Sequence, residues 1–112
     1  MKLKQCMIFG IGLAMTIVQP VSAAGDAAAG KEKVPLCVAC HGEDGNSPLA
    51  QFPRIGGQHE SYLNRALLDY KSGARVNPIM LGIVEQLNEE DMANLAAYFA
   101  SQTGPLNTPE SE

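Results

Sequence analysis

The sequence has no tryptophan, and tyrosine and phenylalanine occur only three times each. A core built from it therefore rests on aliphatic side chains and not on stacked rings. There is no run of lysine or arginine, and the formal charge is −4, which argues against a nucleic-acid partner. Nowhere does a stretch alternate apolar and polar residues as a half-buried strand would. No apolar run approaches the ~20 residues that a membrane-spanning helix needs. The longest, residues 6–18, follows Lys2 and Lys4, is broken by Pro20 and ends at Val21-Ser22-Ala23-Ala24. That order of basic, apolar and small residues predicts a secretory signal peptide over 1–23, cleaved after Ala23 or Ala24, and no permanent membrane anchor. Cys6 lies too early in the run to be a lipoprotein acceptor.

Removal of that segment leaves about 88 residues with six basic side chains against twelve acidic ones. This is one small domain. Chains of this size bury only about 60% of their unfolded surface and commonly need a staple or cofactor to complete the core. The two remaining cysteines both lie in Cys37-Val38-Ala39-Cys40-His41. A CxxC pair can be a disulfide or a redox dithiol, but the thioredoxin type needs a βαβ setting that the sequence lacks. It can also be half of a zinc site. The available ligands would be Cys37, Cys40, His41 and His59, and the adjacent pair Cys40-His41 is ill-placed to join Cys37 on one tetrahedron. Attachment of a c-type haem uses all three residue types in their observed order. The two thiols reach the two vinyl groups of one porphyrin, and the imidazole stands over the ring to ligate iron.

The rest of the chain reads as helices separated by loops. Asp26 caps a first helix over 27–34, in which Gly30 costs about 1 kcal/mol relative to alanine. Pro35 ends or kinks it, after which the helix can resume through Cys37 and Cys40. Residues 42–58 are rich in Gly, Pro, Asn and Ser and form a long loop with apolar insertions at Leu49, Phe52 and Ile55. Gln58 or His59 opens a helix to about Ser72, with Tyr62, Leu63, Ala66, Leu67 and Tyr70 on one stripe. Gly73 closes it. Residues 75–82 read as a second loop, followed by a short helical turn over 83–87. Asn88 caps a last helix whose buried face is Met92, Leu95, Ala96 and Phe99, and whose first turn carries Glu89, Glu90 and Asp91. Thr103-Gly104-Pro105 stops it. The predicted domain is thus all-α over 24–104, with three main helices, and 105–112 is a disordered polar tail.

A haem iron offers a second axial position. Met92 belongs to the stripe of the last helix and packs the core. Met80 falls in the second loop, beside Pro78, where no stripe claims it, and ligation would give its side chain a burial site. His59 is the rival ligand, but a polar residue at a helix start has an ordinary solvated role. Arg54 and Arg75, on the loops flanking the haem, are candidates to pair with the propionates. The acidic groups at Glu43-Asp44 and at 89–91 look solvated and not catalytic.

With these residues placed, the chain resembles the class I cytochromes c, in particular the small bacterial periplasmic cytochrome c-553-like proteins and one half of the di-haem cytochromes c. The strings that carry the resemblance are Gly25-Asp26-Ala27-Ala28-Ala29-Gly30-Lys31 before the CVACHG motif, Phe52-Pro53-Arg54-Ile55-Gly56-Gly57-Gln58, Tyr62-Leu63 and Tyr70-Lys71-Ser72-Gly73-Ala74-Arg75. Asn77-Pro78-Ile79-Met80 and Leu95-Ala96-Ala97-Tyr98-Phe99-Ala100 complete the set. The resemblance implies one covalent haem c on Cys37 and Cys40, with His41 as proximal and Met80 as distal iron ligand. It also implies that the Pro53 carbonyl receives the His41 ring N–H, and that Gly30 lies where the first and last helices cross, with Phe99 opposite. Pro35 departs from the family pattern, and a single CxxCH excludes two haems in this chain. The function implied is a monomeric periplasmic electron carrier, docking transiently with a redox donor and acceptor. A haem subunit fixed in a dehydrogenase or oxidase complex is the alternative, and a haem enzyme or gas sensor with a labile sixth ligand is a third reading.

Overall fold

Among the described residues the chain forms five helices: α1 (Ala27–Lys33), α2 (Pro35–His41), α3 (Glu60–Ser72), α4 (Pro78–Val84) and α5 (Glu89–Ala100). The computed structural model describes residues 24–107 and, outside them, only Gly10. The expected signal peptide and residues 108–112 of the expected tail lie outside the described residues. Among the described residues there is no strand, in keeping with the all-α expectation.

Capping chemistry sets most of the helix ends. Asp26 accepts hydrogen bonds from the amides of Ala28 at 2.9 Å and Ala29 at 3.2 Å, satisfying two donors of the first turn of α1. Asn88 and Asp91 form a reciprocal capping box at the start of α5: the Asp91 amide donates to Asn88 at 2.8 Å and the Asn88 amide donates to Asp91 at 3.2 Å. Gly73 closes α3 in the left-handed conformation at φ 84°. Val34 ends α1, and Pro35 begins α2 at the position where its missing N–H costs nothing. The proline therefore separates two short helices and leaves the thiols on the second.

One expectation is corrected here. Of the loop expected over 75–82 only residues 75–77 are irregular, and Met80 does not lie in a loop, because α4 occupies Pro78–Val84. Asn77, extended at φ −154° and ψ 116°, accepts the amides of Ile79 at 3.0 Å and Met80 at 3.1 Å, and Pro78 takes the first helical position. The Asn-Pro pair that reads as a turn is equally an N-cap followed by a proline at N1. The short turn expected over 83–87 is the end of this helix and the turn after it. The five helices among the described residues are thus the three main ones expected, the resumed helix through the cysteines, and α4.

The core lies between α1, α3 and α5 and takes in the far end of α4. Val34, Leu63, Val84, Leu87, Met92, Leu95, Ala96 and Phe99 form one buried cluster. Met92, Leu95 and Val84 are its largest fully buried side chains, each worth about 1.5–3 kcal/mol of transfer free energy. At Gly30, a Cβ would run into the backbone carbonyl of Asn94, so the two helix backbones touch where no side chain fits. The Asp26 amide also donates to the Asn94 side chain at 2.7 Å, and Lys33 pairs with Asp91 at 3.5 Å. The crossing inferred for Gly30 is therefore present, but its partner is Asn94. Phe99 instead faces Gly45, where an added Cβ would lie 2.9 Å from its ring, and stacks edge-on with Tyr98 at 5.1 Å.

The long loop 42–59 is folded onto α5. Gly45, at φ 78°, lets the chain double back so that its carbonyl receives the amides of Ile55 at 2.8 Å and Gly56 at 3.1 Å. The Tyr98 hydroxyl donates to the Glu43 carbonyl at 2.8 Å, the Gly57 amide to the Phe99 carbonyl at 2.9 Å, and the Asn46 side chain to the Thr103 carbonyl at 2.8 Å. These bonds give an irregular segment fixed positions, which the cavity described next requires.

Candidate functional site

A cavity of about 400 Å³ opens between α2, the 51–55 segment, α3, α4 and α5. Its walls are mostly aliphatic and aromatic side chains, within the size range of sites that take small molecules or cofactors. One side is α2. Its length brings Cys37, Cys40 and His41 to the same cavity, because residues three and four apart share a helix face. Cys37 and Cys40 are free and half-buried. Burial, with the nearby Cys40 second, pushes the Cys37 thiol up to about 11. Redox dithiols work through a lowered thiol pKa, so this environment opposes the disulfide-exchange reading. Among the described residues no group of three or more His, Cys, Asp or Glu side chains is arranged to hold a metal ion.

His41 is almost fully buried, at 7% exposure. Its Nδ1 lies 2.8 Å from the carbonyl oxygen of Pro53. A carbonyl can only accept, so Nδ1 carries a proton and Nε2 is the ring nitrogen left to meet a Lewis acid. The acceptor comes from the loop, which explains why that segment is tied so firmly to α5. Such outer contacts set the tautomer and orientation of ligating histidines.

Met80 lines the same cavity from the first turn of α4, where Asn77 holds its amide. His59 stands exposed at the N-cap of α3 and is not one of the cavity walls. Met92 has 0% exposure in the core, among Leu95, Val84 and Leu87. Of the three side chains weighed against each other as a second ligand, the cavity thus receives Met80 alone. Two thiols, an imidazole and a thioether around an apolar cavity form a donor set that fits a haem c.

Arg54 and Arg75 both reach the cavity wall. Arg75 donates to the Tyr62 hydroxyl at 3.5 Å and lies 4.9 Å from the centre of the Tyr70 ring. The bond to Tyr62 and the flanking Tyr70 and Asp69 raise its pKa further, so it is a permanent cation at the rim. On α3 the expected stripe is divided: Leu63 enters the core, Leu67 and Tyr70 are half-buried, and Tyr62 is 52% exposed, all of them along the cavity. Several wall residues escaped the sequence reading. Ile83 belongs to a helix the pattern hid, Leu87 lies in the connection that follows it, and Gln51 and Gln58 lie in a loop with no periodicity. Leu106 sits in the segment read as tail, in a turn where the Asn107 amide donates to the Gly104 carbonyl at 3.1 Å. For α4, the Asn77-Pro78 pair was the available signal.

Comparison with known proteins bears on this site. The family model described as "Cytochrome c" matches residues 27–103. The chain is 52% identical over 80 residues to cytochrome c4 of Pseudomonas aeruginosa, an alignment covering 71% of this chain and 40% of that one. It is 42% identical over 82 residues to cytochrome c-554(548) of Halomonas halodenitrificans, covering 70% of this chain and 99% of that one. Among solved structures, reduced recombinant cytochrome c4 from Pseudomonas stutzeri aligns with a TM-score of 0.69 and 46% identity, over 72% of this chain and 47% of that one. The chain spans about half or less of the length of the cytochrome c4 proteins it matches.

Proposed function

The chain belongs to the cytochrome c family, and on that premise we propose that it is a periplasmic electron-transfer protein holding one haem c between His41 and Met80. A cytochrome c domain binds its haem covalently. In this reading Cys37 and Cys40 make the two thioether bonds, and His41 and Met80 ligate the iron. Bound there, the haem supplies a one-electron Fe(III)/Fe(II) couple. The observation that carries the reading is the 2.8 Å contact from His41 Nδ1 to Pro53, which leaves Nε2 for iron in a cavity that Met80 also lines.

The chain's own residues then do three things. The Pro53 carbonyl holds the His41 ring in one orientation, so the same nitrogen is offered in either oxidation state. The Met80 thioether fills the remaining position, which leaves no open site for a substrate and makes the protein a carrier and not an enzyme. The apolar walls from α3, α4 and α5 keep water away, which together with a thioether ligand favours the reduced form relative to bis-histidine ligation. Near the cavity, Tyr62, Val76 and Ile79 remain 52%, 87% and 63% exposed, offering apolar contact to donor and acceptor proteins. Electron-transfer encounters use small interfaces, under about 1,200 Å². Among the described residues no helix is long and apolar enough to cross a membrane.

The test is Met80→Ala in the haem-loaded protein. The far-red methionine–iron charge-transfer band of the oxidised form should vanish, and the ferrous form should bind carbon monoxide, while His59→Ala changes neither. Persistence of the band in Met80→Ala would refute Met80 as the distal ligand. Elution of the native protein, alone or in a larger assembly, separates a free carrier from a subunit of a dehydrogenase or oxidase.

A further inference from the structure

The helix that carries Met80 is weakly held by its own packing. α4 has seven residues, too few to be stable alone, and only Val84, at its far end, is buried. Leu81 and Gly82 on its outer side are exposed, and so is Ile79 at the rim of the cavity. Two cations at the end of α3 and just beyond it grip the chain on either side of α4. Behind the helix, the Lys71 ammonium donates to the backbone carbonyl of Leu87. Ahead of it, the Arg75 amide donates to the Asp69 carbonyl at 3.0 Å, while its guanidinium reaches the Tyr62 hydroxyl and lies over the Tyr70 ring. The segment between α3 and α5 is therefore an arch with both feet on α3.

We propose that Lys71 and Arg75 are positioning residues that pin this arch, hold Met80 against the cavity and set how readily it leaves the iron. The proposal rests on Met80 as distal ligand and assigns a different task to Arg75 from pairing with a propionate. A propionate partner changes the field at the haem, so its loss shifts the reduction potential. A pin changes the opening equilibrium of α4, so its loss changes ligand exchange. Lys71 belongs to the same device because α4 can swing only if one of its feet is released.

The experiment uses haem-loaded Lys71→Met and Arg75→Lys, alone and combined. Arg75→Lys keeps the charge and loses the planar face and the fork. Carbon monoxide uptake by the ferrous protein reports Met80 departure, and amide hydrogen exchange reports the opening of α4 against that of α1 and α5. Each single variant should speed uptake about 2- to 5-fold, the range expected for one exposed cation–ring or hydrogen-bond contact. The pair should exceed either alone. Exchange should quicken at α4 amides and stay unchanged in α1 and α5. Unchanged uptake and exchange, or a shift confined to the reduction potential, overturns the pinning, as does exchange quickened equally in all helices. If the unaltered oxidised protein lacks the methionine–iron band, Met80 ligation itself fails and takes this proposal with it.

Discussion

Gly30→Ala and Gly82→Ala make the same chemical change on two helices, and the structure assigns them opposite signs. In a helix, alanine in place of glycine is worth about 0.8–1 kcal/mol of propensity. At Gly82, on the outer side of α4, an added Cβ meets nothing within 4 Å, so that gain is kept. At Gly30 the Cβ would overlap the carbonyl of Asn94 in α5, with the carbonyl carbon and the Leu95 amide close behind. Backbone atoms have no rotamer to retreat into, so the helices must separate. Separation strains the bond from the Asp26 amide to Asn94 and the pair of Lys33 with Asp91. Overpacking of this kind costs about 1–3 kcal/mol, occasionally more. After subtraction of the propensity gain, Gly30→Ala should be destabilising by up to about 2 kcal/mol. For a domain of this size that lowers Tm by up to about 15 °C, and Gly82→Ala should raise it by up to about 8 °C. Thermal unfolding of the haem-loaded protein, followed by far-ultraviolet circular dichroism, reads both. Equal shifts for the two variants, or a stabilised Gly30→Ala, would refute the close crossing of α1 and α5.

Two further outcomes test other parts of the fold. Met92→Ala should cost about 2–5 kcal/mol in chemical denaturation, as expected for a fully buried side chain, yet leave the methionine–iron band intact, separating core packing from ligation. The Asp44 carboxyl accepts the Asn46 amide at 2.9 Å, which with the Asn46 side chain holds its pKa below the usual carboxylate range. Because the folded-state value is depressed, its contribution is present at neutral pH and disappears as pH falls through that value. Asp44→Asn should therefore lower stability near pH 7 and narrow the gap to the unaltered protein in acid, as read by unfolding midpoints across that range.

The parts of this protein that local chemistry controls were legible in its residues. Two thiols and an imidazole within five positions specify a haem with little help from the rest of the chain. Asp26 and Asn88 each cap a helix through atoms two or three residues away, so a short window holds the whole interaction. The apolar stripe of α5 was legible for the same reason: its period of 3.6 is a property of one helix. Met80 was singled out although its setting was misread, since a loop and a proline-started helix leave the same trace in a short apolar run.

What only the tertiary structure decided is how distant segments meet. The cavity draws on α2, the loop, α3, α4, α5 and Leu106, and no period in sequence relates one to another. The tautomer of His41 depends on a carbonyl 12 residues away, a backbone group that every residue possesses and no side chain advertises. Gly30 is costly within its own helix and required only because α5 passes against it. Caps and motifs are contacts between near neighbours, whereas a binding cavity and a helix crossing exist only once the folded backbone brings remote residues together.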